Sequence, residues 1–112
     1  MNHYEIVWQF KTANFKIELS VAPEYMEPDW VSDEEQEELL RKINNGELLY
    51  FCACVSVRWK GLEIGSDHLG ACCYESIEDF RKDPYFYDMV KIAVKEARKY
   101  FAALTIPKIR AA

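Results

Sequence analysis

The chain has 112 residues, half of them apolar and 14% aromatic, and a formal net charge of −5 at pH 7. This length predicts one domain, residues 1–112, and the apolar content excludes intrinsic disorder. The acidic net charge disfavours direct nucleic-acid binding. The sequence has no apolar run of about 20 residues and no basic leader, so we expect a cytoplasmic protein that does not enter a membrane.

The N-terminal residues alternate between apolar and polar types in two runs. The apolar positions are Tyr4, Ile6, Trp8 and Phe10 in the first run and Phe15, Ile17, Leu19 and Val21 in the second. A period of two is typical of half-buried strands. Residues 12–14 between the runs therefore predict the turn of an antiparallel hairpin.

A loop and an acidic helix follow the first hairpin. The loop runs from Pro23 to Trp30. Trp30 either covers the edge of the core, which we favour because most tryptophans are buried, or is exposed at an interface. Ser32 and Glu35 have the spacing of a capping box. The helix carries a narrow apolar stripe, with Glu–basic pairs spaced four apart, and ends at residues 44–46.

The second hairpin holds all four cysteines. A strand from Leu48 to Trp59 is followed by the turn signal Lys60-Gly61. A regular register would pair Trp59 with Leu62 and Val57 with Ile64. One extra residue at Gly65 would then turn Leu69, Ala71 and Cys73 inward. It would place His68 and Cys72 on the outer face with Cys52 and Cys54.

Two helices end the chain. Ser76 is the N-cap of a short helix that Pro84 ends, and a long helix runs from Tyr85 to Leu104, with Pro107 closing it before a loose tail. The order β-β-α-β-β-α-α predicts an α+β fold. Two hairpins form a four-stranded antiparallel sheet, and helices pack on one face.

Catalytic chemistry finds little support in these residues. A metal site could form from Cys52, Cys54, His68 and Cys72 if they share one face, but the usual C-x₂-C turn of a zinc site is absent. Asp67 and His68 are adjacent on a strand and point to opposite faces, which is unsuitable for a catalytic triad. We therefore expect no enzyme, no catalytic residue and no cofactor, with free cysteines that serve packing.

The charge and the aromatic residues favour an interaction surface instead. Acidic residues dominate from Glu24 to Glu47, whereas from Lys91 to Arg110 all charged residues except Glu96 are basic. Candidate contact residues are the carboxylates and the aromatics at the ends of elements: Glu34, Glu35, Glu38, Trp30, Tyr74, Tyr85 and Tyr87. Tyr and Trp are common at the energetic centres of interfaces. Packing at the sheet edges is the alternative for each aromatic.

Three segments of the sequence are similar to a known group of proteins: GELLYFCACVSV, EIGSDHLGACCYES and YFYDMVKIAVKEAR. They resemble a family of small, functionally uncharacterised proteins of bacteriophages and related mobile elements. The likeness covers the middle and C-terminal two-thirds of the chain, and His68 stands where the family pattern has Tyr. It implies no catalytic residue and no named fold, only a context in which small acidic proteins often block a host system.

The resulting hypothesis is a non-enzymatic protein-binding module, a phage-type inhibitor of a host defence complex of the CRISPR or restriction class. Its partner would be a host protein or ribonucleoprotein complex in the bacterial cytosol. The two alternatives are a small thiol- or metal-dependent enzyme using Cys52, Cys54, His68 and Cys72, and a homodimeric regulatory protein joined through an exposed edge strand.

Overall fold

The computed structural model describes residues 4–111, and the side chains of residues 4–104. Seven elements follow in order: β1 (Glu5–Lys11), β2 (Phe15–Pro23), α1 (Asp33–Asn44), β3 (Leu49–Trp59), β4 (Leu62–Tyr74), α2 (Ile77–Lys82) and α3 (Pro84–Ala111). The strands form one antiparallel sheet in the order β1-β2-β3-β4. The predicted α+β class, the four-stranded sheet and the order of elements are confirmed. None of the helices within residues 4–111 is long and apolar enough to cross a membrane.

The hydrophobic core lies between the sheet and the helices α2 and α3. Its most buried large side chains include Leu19 of β2, Val55 of β3 and Phe80 of α2. The Phe80 ring contacts the rings of Phe51, Tyr74 and Phe86 with centroid distances of 5.5, 5.1 and 5.9 Å. Phe80 therefore joins the sheet to both helices.

Helix α3 approaches the sheet very closely at one point. A Cβ atom on Gly65 would lie 2.1 Å from the carbonyl oxygen of Ala93 and 2.9 Å from the nitrogen of Ala97. Ala93 and Ala97 are both buried. Small residues on both sides thus allow backbone-to-backbone packing that a larger residue at position 65 would prevent.

The irregularities of the sheet are confined to its two outer pairs. The pairing of β2 with β3 is unbroken from Phe15 opposite Trp59 to Pro23 opposite Phe51. In the second hairpin, Trp59 pairs with Leu62 as predicted, but Val57 faces Gly65 rather than Ile64. The predicted bulge is therefore present, with the register shift one residue earlier than expected, at Ile64, which is buried.

A second bulge in β4 was not predicted. The register shifts between Phe51 and Ala53, and opposite this shift Ala71 has a positive φ of 55°. As a result Cys72 turns into the core, whereas Ala71 is exposed and Cys73 is half-buried. The expectation that Ala71 and Cys73 face inward and that Cys72 lies outside is wrong, because the extra residue reverses the faces.

Strand β1 has a bulge of its own, between Ile6 and Trp8. Trp8 faces the helices, and its ring contacts the Phe86 ring at 5.4 Å, while the Arg81 guanidinium lies 4.7 Å from its centroid. Tyr4 lies on the opposite face, 6.4 Å from the His68 ring. The expected single apolar face of Tyr4, Ile6, Trp8 and Phe10 is therefore divided between two faces.

The two proline predictions for the last helices also need revision. Pro84 is the first residue of α3, a position where its missing N–H is harmless. The helix continues past Pro107 to Ala111, so the expected end and loose tail are wrong. A proline removes one backbone hydrogen bond, which bends or weakens a helix without always ending it.

Candidate functional site

The connection between β2 and β3 is the most acidic part of the molecule. We call residues 24–47 the acidic arm; it contains nine carboxylates and two basic residues. It comprises a loop, helix α1 and a short return to β3. The arm leaves the sheet where Pro23 pairs with Phe51, at the end opposite the two hairpin turns.

The base of the arm is fixed to the sheet by polar contacts. The Ala71 N–H donates a hydrogen bond of 2.9 Å to Glu24 Oε1, and the Tyr50 hydroxyl donates one of 2.8 Å to the Met26 carbonyl. Pro28 is fully buried, and the Trp30 ring lies 6.0 Å from the Tyr50 ring. These contacts hold residues 24–30 across one end of the sheet face opposite α2 and α3, which we call the open face.

Glu24 is held in its ionised form by its neighbours. Burial acts to raise the pKa of this carboxyl group. The hydrogen bonds from Ala71, Met26, Cys52 and Tyr25 outweigh that effect, so the pKa is lowered. The carboxylate thereby supports the bulge at Ala71 and the start of the arm at once.

Helix α1 extends from this base with no buried residue. The Ser32 hydroxyl accepts a hydrogen bond of 3.3 Å from the Glu35 N–H, which confirms the predicted N-cap. Arg41 pairs with Glu38 at 2.5 Å, three residues away, rather than with Glu37 as the spacing predicted. Among the described residues the carboxylates of Glu34 and Glu35 form no ion pair and are exposed. They are therefore available to a partner.

Three of the four predicted aromatic contact residues converge on one cleft. Trp30, Tyr74 and Tyr85 line a cavity of about 420 Å³, together with the bulged segment of β4 from Leu69 to Cys73. We call it the aromatic cleft. Trp30 is 52% exposed and Tyr85 60% exposed, so the expectation that Trp30 is buried in the core is wrong. The Trp30 ring instead packs beside Tyr50, on the open face.

The two remaining tyrosines differ in role. Tyr74 is half-buried against Phe51 and Phe80, and burial together with a hydrogen bond to Asp83 raises its pKa to about 12. Tyr74 is thus a fixed wall of the cleft. Its burial matches the alternative that this tyrosine packs at the edge of the sheet. Tyr87 is 63% exposed and does not line the cleft; the Lys91 ammonium lies 4.7 Å from its ring centroid.

The cysteines do not resemble activated nucleophiles. Burial raises the pKa of Cys72 to about 12, and it also raises the pKa of Cys73. The pKa of Cys52 is raised by burial and by the neighbouring Glu24 carboxylate. A reactive cysteine needs the opposite shift, toward the thiolate. All four cysteines are free, and the Cys54 sulfur lies 3.6 Å from the Ser56 hydroxyl.

The four candidate metal ligands are not brought together. Cys52, Cys54 and His68 belong to the open face, where His68 pairs with Cys54 across the strands. Cys72 lies on the other side of the sheet, in the hydrophobic core. Within the part of the chain that the structure describes, no three His, Cys, Asp or Glu side chains are placed to hold a metal ion.

Sequence reasoning missed two residues of this surface. Tyr25 is 81% exposed and Met26 66% exposed, beside Glu24 and Glu27. The sequence did contain a signal for them, since both are large apolar residues in an acidic loop before a proline. Such a loop has no helical or strand periodicity that would turn these side chains toward a core, so their exposure could have been predicted. Both lie in the same loop of the arm as Trp30 and add to its exposed apolar area.

Comparison with protein-family models found no match, and comparisons with curated proteins and with solved structures found none either.

Proposed function

We propose that this protein is a non-enzymatic binding module that inhibits a host defence complex by direct contact through the acidic arm and the aromatic cleft. The observation that carries this proposal is that the acidic arm combines a base fixed to the sheet with an exposed helix, α1. The arm is anchored through Glu24, Pro28 and Tyr50, whereas α1 contains no buried residue. A preorganised surface loses little entropy when it binds.

The chemistry of the surface indicates the kind of partner that the proposal requires. Trp30 and Tyr85 offer exposed aromatic faces, which attract guanidinium and ammonium groups. The neighbouring first turn of α1 contributes Asp33, Glu34 and Glu35. A basic protein surface with an arginine or lysine that enters the cleft meets both features. Such surfaces are common on complexes that bind nucleic acid, as restriction and CRISPR effectors do.

The raised thiol pKa values and the separation of Cys72 from Cys52, Cys54 and His68 weigh against the enzyme alternative. The bulges in both edge pairs weigh against a homodimer formed by sheet extension, because a bulge interrupts the regular hydrogen bonding that an added strand needs.

The test is a charge reversal on α1. We expect the triple variant Glu34→Lys, Glu35→Lys, Glu38→Lys to fold normally and to lose at least about tenfold in affinity for its partner, since each removes an attractive charge. A tagged protein is used to capture partners from lysates of bacteria that express restriction or CRISPR complexes. The partner is identified by mass spectrometry and its affinity measured with purified components.

The matched control is the triple variant Glu5→Lys, Asp88→Lys, Glu96→Lys. These residues are exposed and lie outside the arm, and the change in net charge is the same. The control should keep the partner. Equal loss in both variants would show a general charge effect and would contradict the role of the arm.

The inhibitory part of the proposal has a separate readout. Cells with an active restriction or CRISPR system should become permissive to a targeted phage when they express the protein. The α1 triple variant should restore immunity. If every such system retains full immunity in the presence of folded protein, the inhibitor role is wrong even where binding is observed.

A further inference from the structure

The end of the sheet opposite the acidic arm carries a cluster of cations. Lys11 of β1 pairs with Lys16 of β2, and Lys16 pairs with Arg58 of β3. Side chains directly opposite each other in an antiparallel sheet share a face and lie about 5 Å apart, and like charges there are unfavourable. Three cations thus cross three neighbouring strands in one row on the open face.

The row borders a cleft between the two hairpin turns. The cleft has a volume of about 470 Å³ and is lined by residues 11–16 and 58–61. Lys60 in the second turn adds a fourth cation, and its ammonium lies 4.8 Å from the Trp59 ring centroid. No carboxylate belongs to the lining. We call this the cationic cleft.

Two nearby carboxylates offset only part of this charge. Glu18 is 4% exposed; it accepts a hydrogen bond of 2.6 Å from Arg58 Nε and lies 3.8 Å from Lys16 Nζ. Glu63 pairs with Arg58 on the other side and is exposed. Among the described residues, Lys11 forms no ion pair and neither Nη atom of Arg58 has a hydrogen-bond partner. Donors therefore remain for a ligand.

We propose that the cationic cleft binds a compact phosphate ligand with two or more negative charges, such as a diphosphate group. Lysine ammonium groups and the guanidinium fork are the usual protein donors to phosphate oxygens. A bound dianion would relieve the repulsion along the row of like charges. The net charge of −5 and the nine carboxylates of the acidic arm disfavour a long polyanion.

The probe is sodium pyrophosphate, titrated into the full-length protein at constant ionic strength and followed by the backbone amide signals in NMR. We expect saturable shifts at Ala13, Asn14, Lys60 and Gly61, in the two turns. Shifts that stay linear, or that occur throughout the surface, would overturn the proposal. A single-stranded oligonucleotide is titrated in parallel and should bind more weakly; tighter binding of the oligonucleotide would also overturn it.

The informative variant is Lys11→Gln with Lys60→Asn. It removes two cations, leaves the Glu18–Arg58 pair intact, and places at position 60 a residue that tolerates the positive φ of 52°. The dissociation constant for pyrophosphate should rise at least about tenfold. The matched control, Lys91→Gln with Lys95→Gln on the exposed side of α3, should bind like the wild type. Equal weakening in both would overturn the site.

This inference does not rest on the proposed function, because it concerns the other end of the sheet. The α1 charge-reversal variant should keep its pyrophosphate binding, and the Lys11→Gln, Lys60→Asn variant should keep its partner. The two proposals can therefore fail separately.

Discussion

Helices α1 and α3 are both amphipathic in sequence, yet only one of them is built into the core. Helix α3 buries Phe86, Met89, Ala93 and Ala97, whereas α1 buries nothing. The difference lies in what each helix meets. Gly65 lets α3 approach the sheet to backbone contact, while α1 sits in a connection that leaves the end of the sheet. An apolar stripe thus predicts that a helix forms, and a complementary surface decides whether it packs.

The largest expected effect comes from removing one apolar side chain from the core, Phe80 of α2, and comparing it with one removed from α1. Phe80→Ala should lower the free energy of unfolding by about 3–5 kcal/mol, because the ring is fully buried among three other rings. Leu40→Ala in α1 should cost less than about 1 kcal/mol, since Leu40 is only half-buried. Urea denaturation of both variants gives the comparison. Similar losses would mean that α1 is part of the core.

A second test adds a methyl group where α3 meets the sheet. Gly65→Ala should destabilise the protein by about 1–3 kcal/mol or more, because the new atom would meet the backbone of Ala93 and Ala97. The matched change Gly70→Ala meets only the Glu24 carboxylate at 3.1 Å, which needs to shift by only a few tenths of an ångström. It should cost less than half as much. Thermal denaturation ranks the two, and the reverse order would refute the close packing of α3.

The smallest effect concerns pH and the base of the arm. The lowered pKa of Glu24 means that its stabilisation is complete above the ordinary carboxyl pKa of 4.5 and is lost as the pH falls through the lower, folded-state value. Acid should therefore release the arm before it unfolds the core. The Ala71 amide shift and Trp30 fluorescence should change together in this range, and Glu24→Gln should abolish that transition. An unchanged acid transition in Glu24→Gln would assign it to another carboxylate.

The regular parts of this fold could be predicted because they follow from local periodicity and capping. The alternation of Ile17, Leu19 and Val21 predicted β2, and Ser76 caps α2 as expected, accepting a hydrogen bond of 3.1 Å from the Asp79 N–H. The bulges depend on more distant partners. The bulge at Ala71 is matched by the Glu24 carboxylate, 47 residues earlier in the chain, which no local pattern reveals.

The sequence indicated which residues belong to the candidate site but not how they are arranged in space. The acidic residues could be selected from the uneven charge of the sequence, and Trp30 and Tyr85 because Tyr and Trp are enriched at the energetic centres of interfaces. Trp30 and Tyr85 meet at one cleft with the bulged segment of β4, and that bulge, which also turned Cys72 inward, was not predicted. Trp30 was expected in the core because tryptophan usually is buried; here Tyr50 supports it from the open face.

The acidic arm has a further consequence for how such a chain can diverge. Its two ends are joined by the regular pairing of β2 with β3, where Pro23 lies opposite Phe51, and the Glu24 N–H donates to the Tyr50 carbonyl at 3.3 Å. The sheet and its core therefore close beneath α1, which has no buried residue, whatever the sequence of that helix. Insertions, deletions and sequence changes in α1 can therefore be accommodated without disturbing the sheet and its core, since surface connections tolerate changes in length and sequence.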